Sequence, residues 1–257
     1  MATALVTGAT SGIGAAFADR LASTGWDLVL VARSVDRLDR KAADLEHRFG
    51  GSVRVLACDL ADPGQRANVE SRLSDPSAPV HLLVNNAGFG TNSTFAAGTI
   101  DAEQRQLDVL CLAVLRLTHA AVSGPHGMVA RGGGAVVNVS SVAGWVPGGT
   151  YSAAKAWVTV FSEGLAAELA GTGVKVVAVC PGMTRTEFHQ RGGMDVHAIP
   201  DWLWLTADQV AAGALDDLRA GRSLSVPSNR YKVLGALARH APRGLVRAVY
   251  AKGRPKR

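Results

Sequence analysis

The apolar residues of this chain fall into short runs that alternate with longer stretches of helical periodicity. The short runs are rich in Val, Leu and Ala and have no polar face, which is typical of strands buried on both sides of a parallel sheet. Strands are predicted at residues 2–6, 27–32, 52–57, 80–84, 134–139, 174–179 and 223–226, and helices at residues 14–24, 36–48, 63–73, 102–130, 151–170 and 207–218. This alternation predicts an α/β fold, a doubly wound seven-stranded parallel sheet with helices on both faces.

Length and composition narrow the class of protein. A chain of 257 residues suits one domain of the larger α/β kind, so we expect a single domain over residues 1–257. No apolar run reaches the roughly 18 residues of a membrane span, and no basic segment precedes an apolar core at the N-terminus, so we expect a cytoplasmic protein. Cys58, Cys111 and Cys180 are widely spaced and predicted to be reduced, and no Cys/His spacing predicts a metal site.

The net charge of +6 is concentrated towards the C-terminus. Residues 228–257 form a basic C-terminal extension, which suits either a nucleic-acid-binding arm or a solvated helix and tail. We favour the solvated helix and expect no nucleic-acid partner. Within the extension, residues 231–249 mix apolar and basic side chains, a pattern that suits contact with a membrane surface or packing against a partner subunit. Membrane contact is not the favoured interpretation.

A glycine-rich turn follows the first predicted strand. Residues 7–14, Thr-Gly-Ala-Thr-Ser-Gly-Ile-Gly, lead directly into the first predicted helix. At such a junction the free N–H groups of the helix N-terminus and the helix dipole attract a phosphate. The spacing Gly-x-x-x-Gly-x-Gly differs from the common dinucleotide fingerprint, but it allows the same tight turn and the same close approach of the backbone to a pyrophosphate. The turn therefore predicts a nucleotide-binding site.

Tyr151 and Lys155 lie four residues apart, shortly after the pair Ser140-Ser141. On a helix, residues i and i+4 share a face, one turn apart. An ammonium beside a phenol lowers the pKa of the phenol below its reference value of about 10, and a nearby serine hydroxyl can bind the same substrate oxygen. The spacing thus predicts a group that exchanges a proton with a carbonyl or alcohol oxygen. The alternative is a chance Tyr and Lys at the start of an amphipathic helix.

Five motifs, in this order, resemble those of the short-chain dehydrogenase/reductase family. They are the Thr-Gly-x-x-x-Gly-Ile-Gly turn, Asn85-Asn86-Ala87-Gly88, Ser140-Ser141, Tyr151-x-x-x-Lys155 and Pro181-Gly182. The resemblance implies an NAD(P)-binding Rossmann domain and an oxidoreductase that interconverts a ketone and a secondary alcohol. It implies that Ser141, Tyr151 and Lys155 are the catalytic residues and that Ser140 supports them without contacting the substrate. It also implies that Lys155 binds the nicotinamide ribose. Homodimers or homotetramers through the long helices are implied as well.

The end of the second predicted strand indicates which nucleotide is bound. An acidic residue here accepts from the ribose 2′-OH of NAD, but this chain has Arg33-Ser34. A guanidinium binds a 2′-phosphate through charge-assisted hydrogen bonds, so we predict NADP(H) in preference to NAD(H). With the resemblance, the predicted cofactor-binding residues are Gly8, Ser11, Gly12, Ile13, Gly14, Arg33, Ser34, Asp59, Leu60, Asn86, Ala87, Gly88, Tyr151, Lys155, Pro181, Gly182, Thr184 and Thr186.

One position departs from the family pattern. Many members carry an asparagine in the helix before the fifth strand, where it helps to hold a water in the proton relay of the lysine, and Leu110 occupies that place here. A leucine side chain neither donates nor accepts a hydrogen bond, although its backbone carbonyl remains. Two hypotheses follow: an active oxidoreductase, or a catalytically weakened NADP(H)-binding sensor or scaffold. The intact Ser, Tyr and Lys favour the enzyme.

An irregular, apolar segment is predicted near residues 183–205, and it contains Trp202 and Trp204. The family resemblance places substrate-binding structure after the sixth strand. We therefore expect a lid over an apolar carbonyl substrate, such as a 3-oxoacyl or steroid-like compound. Packing of this segment against the rest of the protein is the alternative.

Overall fold

The computed structural model describes residues 1–91, 93–188, 199–240 and 244, with residues 238–240 by their backbone alone. The strands are β1 (Thr3–Thr7), β2 (Asp27–Ala32), β3 (Val53–Ala57), β4 (Leu82–Asn85), β5 (Gly134–Val139), β6 (Val174–Val179), β7 (Thr184–Arg185), β8 (Leu205–Thr206) and β9 (Leu224–Ser225). The α-helices are α1 (Gly12–Ser23), α2 (Val35–Phe49), α3 (Pro63–Leu73), α4 (Ile100–Leu107), α5 (Ala113–Val122), α6 (Gly149–Glu168), α7 (Ala207–Arg219) and α8 (Asn229–His240).

Seven of the strands form one sheet in the order β3-β2-β1-β4-β5-β6-β9, and every neighbouring pair is parallel. The order runs outwards in both directions from β1 and β4, so the winding reverses between these two strands. In open α/β sheets, ligands bind beyond the carboxyl ends of the strands at such a reversal. Strands β7 and β8 form a separate two-stranded parallel sheet.

Apolar side chains on the two faces of the sheet form two separate cores. Leu5 of β1 packs on one side in a cluster that includes Leu117 of α5. Val6, the next residue, packs on the opposite side in a cluster that includes Phe17 of α1. All four side chains are fully buried, and burial of each contributes about 1.5–3 kcal/mol. The continuous apolar character of the strands is explained by burial on both faces.

The structure confirms the predicted fold class and the seven-stranded parallel sheet. Most element boundaries agree with the prediction to within two residues. The single helix predicted over residues 102–130 is wrong, because it is divided into α4, a π-helical turn (Asp108–Leu112) and α5, which ends at Val122. Ser123 is extended, and Gly124 has a φ of +81°. Other residues rarely adopt that left-handed conformation, so the helix stops there although apolar residues continue.

The predicted C-terminal extension (residues 228–257) begins with α8, and residues 241–243 and 245–257 lie outside the described residues. The amphipathic pattern predicted for residues 231–249 is therefore described only in part. In α8, Tyr231 is buried, whereas Val233, Leu234 and Leu237 are exposed. Within the described ranges, the helices are all too short or too polar to cross a membrane.

Candidate active site

A cleft of about 940 Å³ opens at the carboxyl ends of β1, β2, β4, β5 and β6. The three predicted catalytic residues and all the predicted cofactor-binding residues except Gly14 line this cleft. These residues are Gly8, Ser11, Gly12, Ile13, Arg33, Ser34, Asp59, Leu60, Asn86, Ala87, Gly88, Ser141, Tyr151, Lys155, Pro181, Gly182, Thr184 and Thr186. The fold thus brings together groups that lie up to 178 positions apart in the chain (from residue 8 to residue 186).

The glycine turn is shaped by backbone conformation and by close packing. Gly8 and Gly12 have φ values of +66° and +55°, which other residues rarely adopt. Gly14 lies behind the turn, where a Cβ atom would overlap the carbonyl oxygen of Gly8 and the amide group of Asn86. Gly14 therefore allows helix α1 to pack closely on the turn. It was predicted to contact the cofactor, but it does not line the cleft.

The N-terminus of α1 differs from those of neighbouring helices. Helices α2, α3 and α7 begin at Ser34, Asp62 and Thr206, whose side chains accept hydrogen bonds from the first turn. At α1, the N-cap residue Ser11 makes no such bond within the described part of the chain, and the first turn contains no acidic residue. Because these N–H groups carry the positive end of the helix dipole and face the cleft, they suit a phosphate.

Arg33 and Arg37 line the end of the cleft beside β2. Arg33 is exposed and lines the cleft, and it makes no hydrogen bond or ion pair with any residue that the structure describes. Ser34 caps α2 by accepting from the backbone N–H of Arg37 at 3.4 Å. Asp59, across the cleft, forms an ion pair with Arg105. The guanidinium of Arg33 is therefore available to an anionic ligand.

Three consecutive residues, Thr186, Glu187 and Phe188, form a strap over the cleft. Thr186 packs on the glycine turn, where its Cγ2 would lie 2.9 Å from a Cβ atom built on Gly12. Glu187 accepts three hydrogen bonds from the guanidinium of Arg37, at 3.0, 3.1 and 3.2 Å. Phe188 lies beside Tyr151, with 5.7 Å between the ring centroids. The strap thus touches both the glycine turn and Tyr151.

Ser141, Tyr151 and Lys155 converge at the other end of the cleft. The hydroxyl of Ser141 accepts a hydrogen bond from the backbone N–H of Ala143 at 3.1 Å and is hydrogen-bonded to Tyr151. Lys155 is buried, and its Nζ donates to the carbonyl oxygen of Val139 at 2.7 Å. The same Nζ lies 5.8 Å from the ring centroid of Tyr151. A phenol, a hydroxyl and an ammonium therefore face one volume.

Burial dominates the electrostatics of this group. It raises the pKa of Tyr151 to about 12, although the hydrogen bond with Ser141 acts in the opposite direction. It lowers the pKa of Lys155 to about 8, because removal from water disfavours the ammonium. The predicted net lowering of the pKa of Tyr151 is therefore wrong for this arrangement, in which the ammonium of Lys155 bonds to Val139 and desolvation of the phenolate prevails. Tyr151 is protonated at neutral pH.

Ser140 joins the end of β5 to the helix that carries Tyr151 and Lys155. Its side chain is buried, and its hydroxyl donates to the carbonyl oxygen of Lys155 at 2.6 Å. The same hydroxyl lies 2.8 Å from Oγ1 of Thr159, one turn further along α6. These contacts fix the end of β5 against the helix that carries Tyr151 and Lys155.

Leu110 fills the space where the family resemblance implied an asparagine. It is buried in the π-helical turn, and its Cδ2 would lie 2.9 Å from a Cβ atom on Gly88. That same Cβ position is 3.8 Å from Nζ of Lys155. A methyl group thus occupies the neighbourhood of the lysine where a polar side chain was expected from the family.

Other residues line the cleft that no sequence pattern indicated, among them Arg37 and Arg105. Arg37 follows Arg33 by four residues at the start of a helix, and this spacing could have indicated that both arginines line the same site. Arg105 gave no such signal, because its partner Asp59 is 46 positions away.

The predicted lid is described in part. Met183, Thr184, Thr186 and Phe188 line the cleft, whereas residues 189–198 lie outside the described residues. Trp202 and Trp204 do not line the cleft. Trp204 packs instead under the guanidinium of Arg185, which lies 5.2 Å from its ring centroid.

The cysteines and other potential metal ligands are dispersed. Cys58 and Cys180 are buried, Cys111 is half-buried, and none of the three forms a disulfide. Over the ranges that the structure describes, no group of three His, Cys, Asp or Glu side chains could hold a metal ion.

Comparisons with known proteins agree with this geometry. The family model described as short chain dehydrogenase matches residues 2–195. Sulfoacetaldehyde reductase 2 of Chromohalobacter salexigens is 38% identical over 188 residues, which are 72% of this chain and 73% of that protein. The chain therefore has a sequence relative across most of its length.

Solved structures extend the similarity to the whole chain. A short-chain dehydrogenase from Sphingobium yanoikuyae, in complex with NADPH, is 35% identical with a TM-score of 0.84, covering 100% of this chain and 98% of that one. A bulky-bulky ketone specific alcohol dehydrogenase from Comamonas testosteroni is 29% identical with a TM-score of 0.79, covering 100% and 96%. With the glycine turn, the parallel sheet and the Ser-Tyr-Lys group in place, this chain belongs to the short chain dehydrogenase family of oxidoreductases.

Proposed function

We propose that this protein is an NADP(H)-dependent oxidoreductase that interconverts an apolar ketone and a secondary alcohol, with Tyr151 as the general acid and base. One observation carries the proposal. A single cleft joins the exposed guanidinium of Arg33 at one end to the Ser141, Tyr151 and Lys155 group at the other. NADP(H) has its 2′-phosphate and its nicotinamide ring at opposite ends, so one molecule would use both.

The residues fit a phosphorylated dinucleotide. A Cβ atom at Gly8 or Gly12 would fill part of the turn, and Ser11 leaves the first N–H groups of α1 to a ligand. Arg33 would hold the 2′-phosphate through charge-assisted hydrogen bonds. The similar short-chain dehydrogenase of Sphingobium yanoikuyae was solved with NADPH, which supports the phosphorylated form.

The family resemblance implies the remaining cofactor contacts. Asp59 and Leu60 would flank the adenine, and Asn86, Ala87 and Gly88 would lie along the adenosine ribose. Pro181, Gly182, Thr184 and Thr186 would hold the nicotinamide end, with Lys155 on its ribose. Each of these residues lines the cleft.

The chain supplies the proton and the orientation of the substrate oxygen. When bound, NADPH supplies the hydride that reduces the carbonyl carbon. Tyr151 is protonated at neutral pH because burial raises its pKa to about 12, so it holds the proton that the carbonyl oxygen takes up. Ser141 donates to the same oxygen, and the ammonium of Lys155 stabilises the phenolate that remains.

The wall near Tyr151 favours an apolar substrate. Val142, Ala143, Met183 and Phe188 line the cleft there, and the ring of Phe188 covers one side of Tyr151. Charged side chains are concentrated instead at the Arg33 end. The similar enzyme of Comamonas testosteroni is specific for bulky-bulky ketones, which supports a ketone with apolar groups on both sides.

Turnover with a panel of ketones tests the proposal. The purified protein is mixed with NADPH and with ketones of increasing apolar size, and loss of NADPH absorbance is recorded. Tyr151→Phe should lower kcat by about 10²–10⁴-fold with little change in the Kd of NADPH, because it removes only the proton donor. Glu168→Gln, at the exposed end of the same helix, is the matched control.

Two results would reject the proposal. Near-normal turnover by Tyr151→Phe would refute the proton donor. Tight NADPH binding without turnover of any ketone would favour the sensor or scaffold, in which Leu110 has interrupted catalysis.

A further inference from the structure

Helix α8 lies beyond residue 195, where the match to the family model ends, yet it reaches the catalytic end of the cleft. Tyr231, in its first turn, is buried with only 6% of its surface exposed. Its ring lies directly on Gly182, where a Cβ atom would overlap the ring. Gly182 is one of the residues proposed to hold the nicotinamide. The C-terminal helix is therefore in contact with the cofactor-binding part of the chain.

The hydroxyl of Tyr231 joins two separate segments. It accepts a hydrogen bond from the backbone N–H of Met183 at 3.0 Å and donates one to the carbonyl oxygen of Leu203 at 2.9 Å. The carbonyl oxygen of Met183 is bonded in turn to the N–H of Leu205 at 2.8 Å. Both backbone polar groups of Met183 are thus held by residues outside the 181–183 turn.

That turn forms a wall of the cleft. Pro181, Gly182 and Met183 all line it, and the carbonyl oxygen of Pro181 accepts from the N–H of Val142 at 3.1 Å. Val142 follows the catalytic Ser141 directly. A shift of Met183 would therefore move the nicotinamide side of the cleft relative to the residues that handle the proton.

A second contact of α8 stabilises the same region. A Cβ atom on Gly235, one turn after Tyr231, would overlap the ring of Trp145. Trp145 ends the short 3₁₀ turn Val142–Trp145 that follows Ser141. The helix therefore packs on both segments that form the catalytic end, the one after β5 and the one after β6.

We propose that Tyr231 is a positioning residue, whose hydroxyl holds the Pro181–Met183 turn in register with Ser141 and Tyr151 for hydride transfer. The proposal rests on the proposed function, because it names a residue that acts through the cofactor-binding turn. Its physical basis is that transfer between two bound groups depends steeply on their separation. A misplacement of about 1 Å can lower a rate by about 10²-fold.

The decisive variant is Tyr231→Phe, which keeps the ring on Gly182 and removes both hydrogen bonds of the hydroxyl. We expect kcat to fall by about 10–100-fold and the Kd of NADPH to change less than about twofold. The deuterium isotope effect on kcat, measured with NADPH deuterated at the transferred position, should rise because hydride transfer becomes rate-limiting. A role confined to stability would lower the melting temperature and leave kcat per folded molecule and the isotope effect unchanged.

Two further variants separate the hydroxyl from the packing. Tyr231→Leu also removes the ring and should lower kcat at least as far as Tyr231→Phe. Val233→Ala, on the exposed face of the same helix, is the control and should match the unaltered protein. Wild-type kcat and isotope effect in Tyr231→Phe would overturn the proposal, even if Tyr231→Leu were impaired.

Hydrogen exchange tests the positioning without turnover. In Tyr231→Phe, the amide of Met183 loses its acceptor, so a peptide covering residues 181–186 should exchange faster than in the wild type. An unchanged exchange rate would overturn the proposal whether or not any ketone is turned over. The two proposals can fail separately. If the wild type reduced no ketone, the proposed function would be rejected. Faster exchange of this peptide in the variant would still show that the Tyr231 hydroxyl positions the turn.

Discussion

Lys155 donates a hydrogen bond to the carbonyl oxygen of Val139, the last residue of β5, at 2.7 Å. The ammonium is thereby directed to the strand end, and its distance from the ring centroid of Tyr151 is 5.8 Å. Both side chains belong to one turn of α6, but their surroundings determine their charges. Burial raises the pKa of Tyr151, which stays protonated at neutral pH. Burial also lowers the pKa of Lys155 to about 8, so its ammonium loses its proton close to physiological pH.

The first prediction concerns pH. Burial lowers the pKa of Lys155 to about 8, so the ammonium is charged below that pH and neutral above it. The positive charge that stabilises the phenolate is then lost as pH rises. We expect kcat/KM for ketone reduction to be level near pH 7 and to fall through a midpoint near pH 8, since kcat/KM reports the groups of the free enzyme.

Lys155→Arg is the control for this profile. A guanidinium keeps its charge to pH values above 12, so the fall near pH 8 should disappear, whatever the absolute rate. A wild-type profile that stayed level from pH 7 to pH 9.5 would contradict the assignment of the titrating group.

The second prediction concerns cofactor choice. Arg33→Ala should lower kcat/KM for NADPH by about 10–100-fold, because a hydrogen bond to a charged group contributes about 1.5–3 kcal/mol. The value for NADH, which lacks the 2′-phosphate, should change little, and Arg33→Asp should reverse the preference. Arg40→Ala, an exposed arginine in the helix that follows Arg33 and outside the cleft, is the matched control. Equal losses for both cofactors would show that Arg33 does not bind the 2′-phosphate.

The third prediction concerns the strap of residues 186–188. Glu187→Gln removes the charge that pairs with Arg37 across the cleft. Exposed ion pairs contribute about 0.2–1 kcal/mol, so the dissociation rate of NADPH should rise about 1.5- to 5-fold in stopped-flow displacement. High salt should reduce the difference from wild type, because it screens the pair.

Asp201→Asn is the control for the strap. It removes an ion pair with Arg185, and neither residue lines the cleft. An identical dissociation rate in Glu187→Gln and wild type, at low salt, would show that the ion pair does not hold the strap closed.

The fourth prediction concerns assembly. Apolar side chains are exposed along α4–α6 and the π-helical turn, namely Leu107, Leu112, Leu115, Trp157 and Val160. We expect this face to join two copies of the chain, as the family resemblance implies for the long helices. Val160, 71% exposed, should lie in that contact, so Val160→Glu should yield monomers in light scattering after gel filtration.

Val129→Glu provides the comparison for assembly. Val129 is also an exposed apolar residue, but it lies outside the long helices, so its variant should keep the mass of the wild type. A monomeric wild type, or an oligomer that survives Val160→Glu, would place the subunit contact elsewhere.

Patterns that depend on neighbours in the chain were predictable from the sequence. The apolar runs predicted the sheet, because a strand buried on both faces needs no polar alternation. The glycine turn was predictable since positive φ values at Gly8 and Gly12 are a local property of the backbone. The i, i+4 spacing placed Tyr151 and Lys155 on one helix face for the same reason. The helix predicted over residues 102–130 failed where a left-handed glycine overrode apolar periodicity.

Tertiary structure alone decided which groups meet and how far water is excluded from them. The pKa of Tyr151 rises because burial outweighs the hydrogen bond with Ser141, and burial depends on residues from several elements of the fold. Arg37 meets Glu187 across 150 positions, and Tyr231 meets Met183 across 48. Such contacts follow from the packing of distant elements, which no local pattern encodes. The sequence by itself therefore determined the fold and the chemical groups, and the packing of the sheet and helices determined their charge and register.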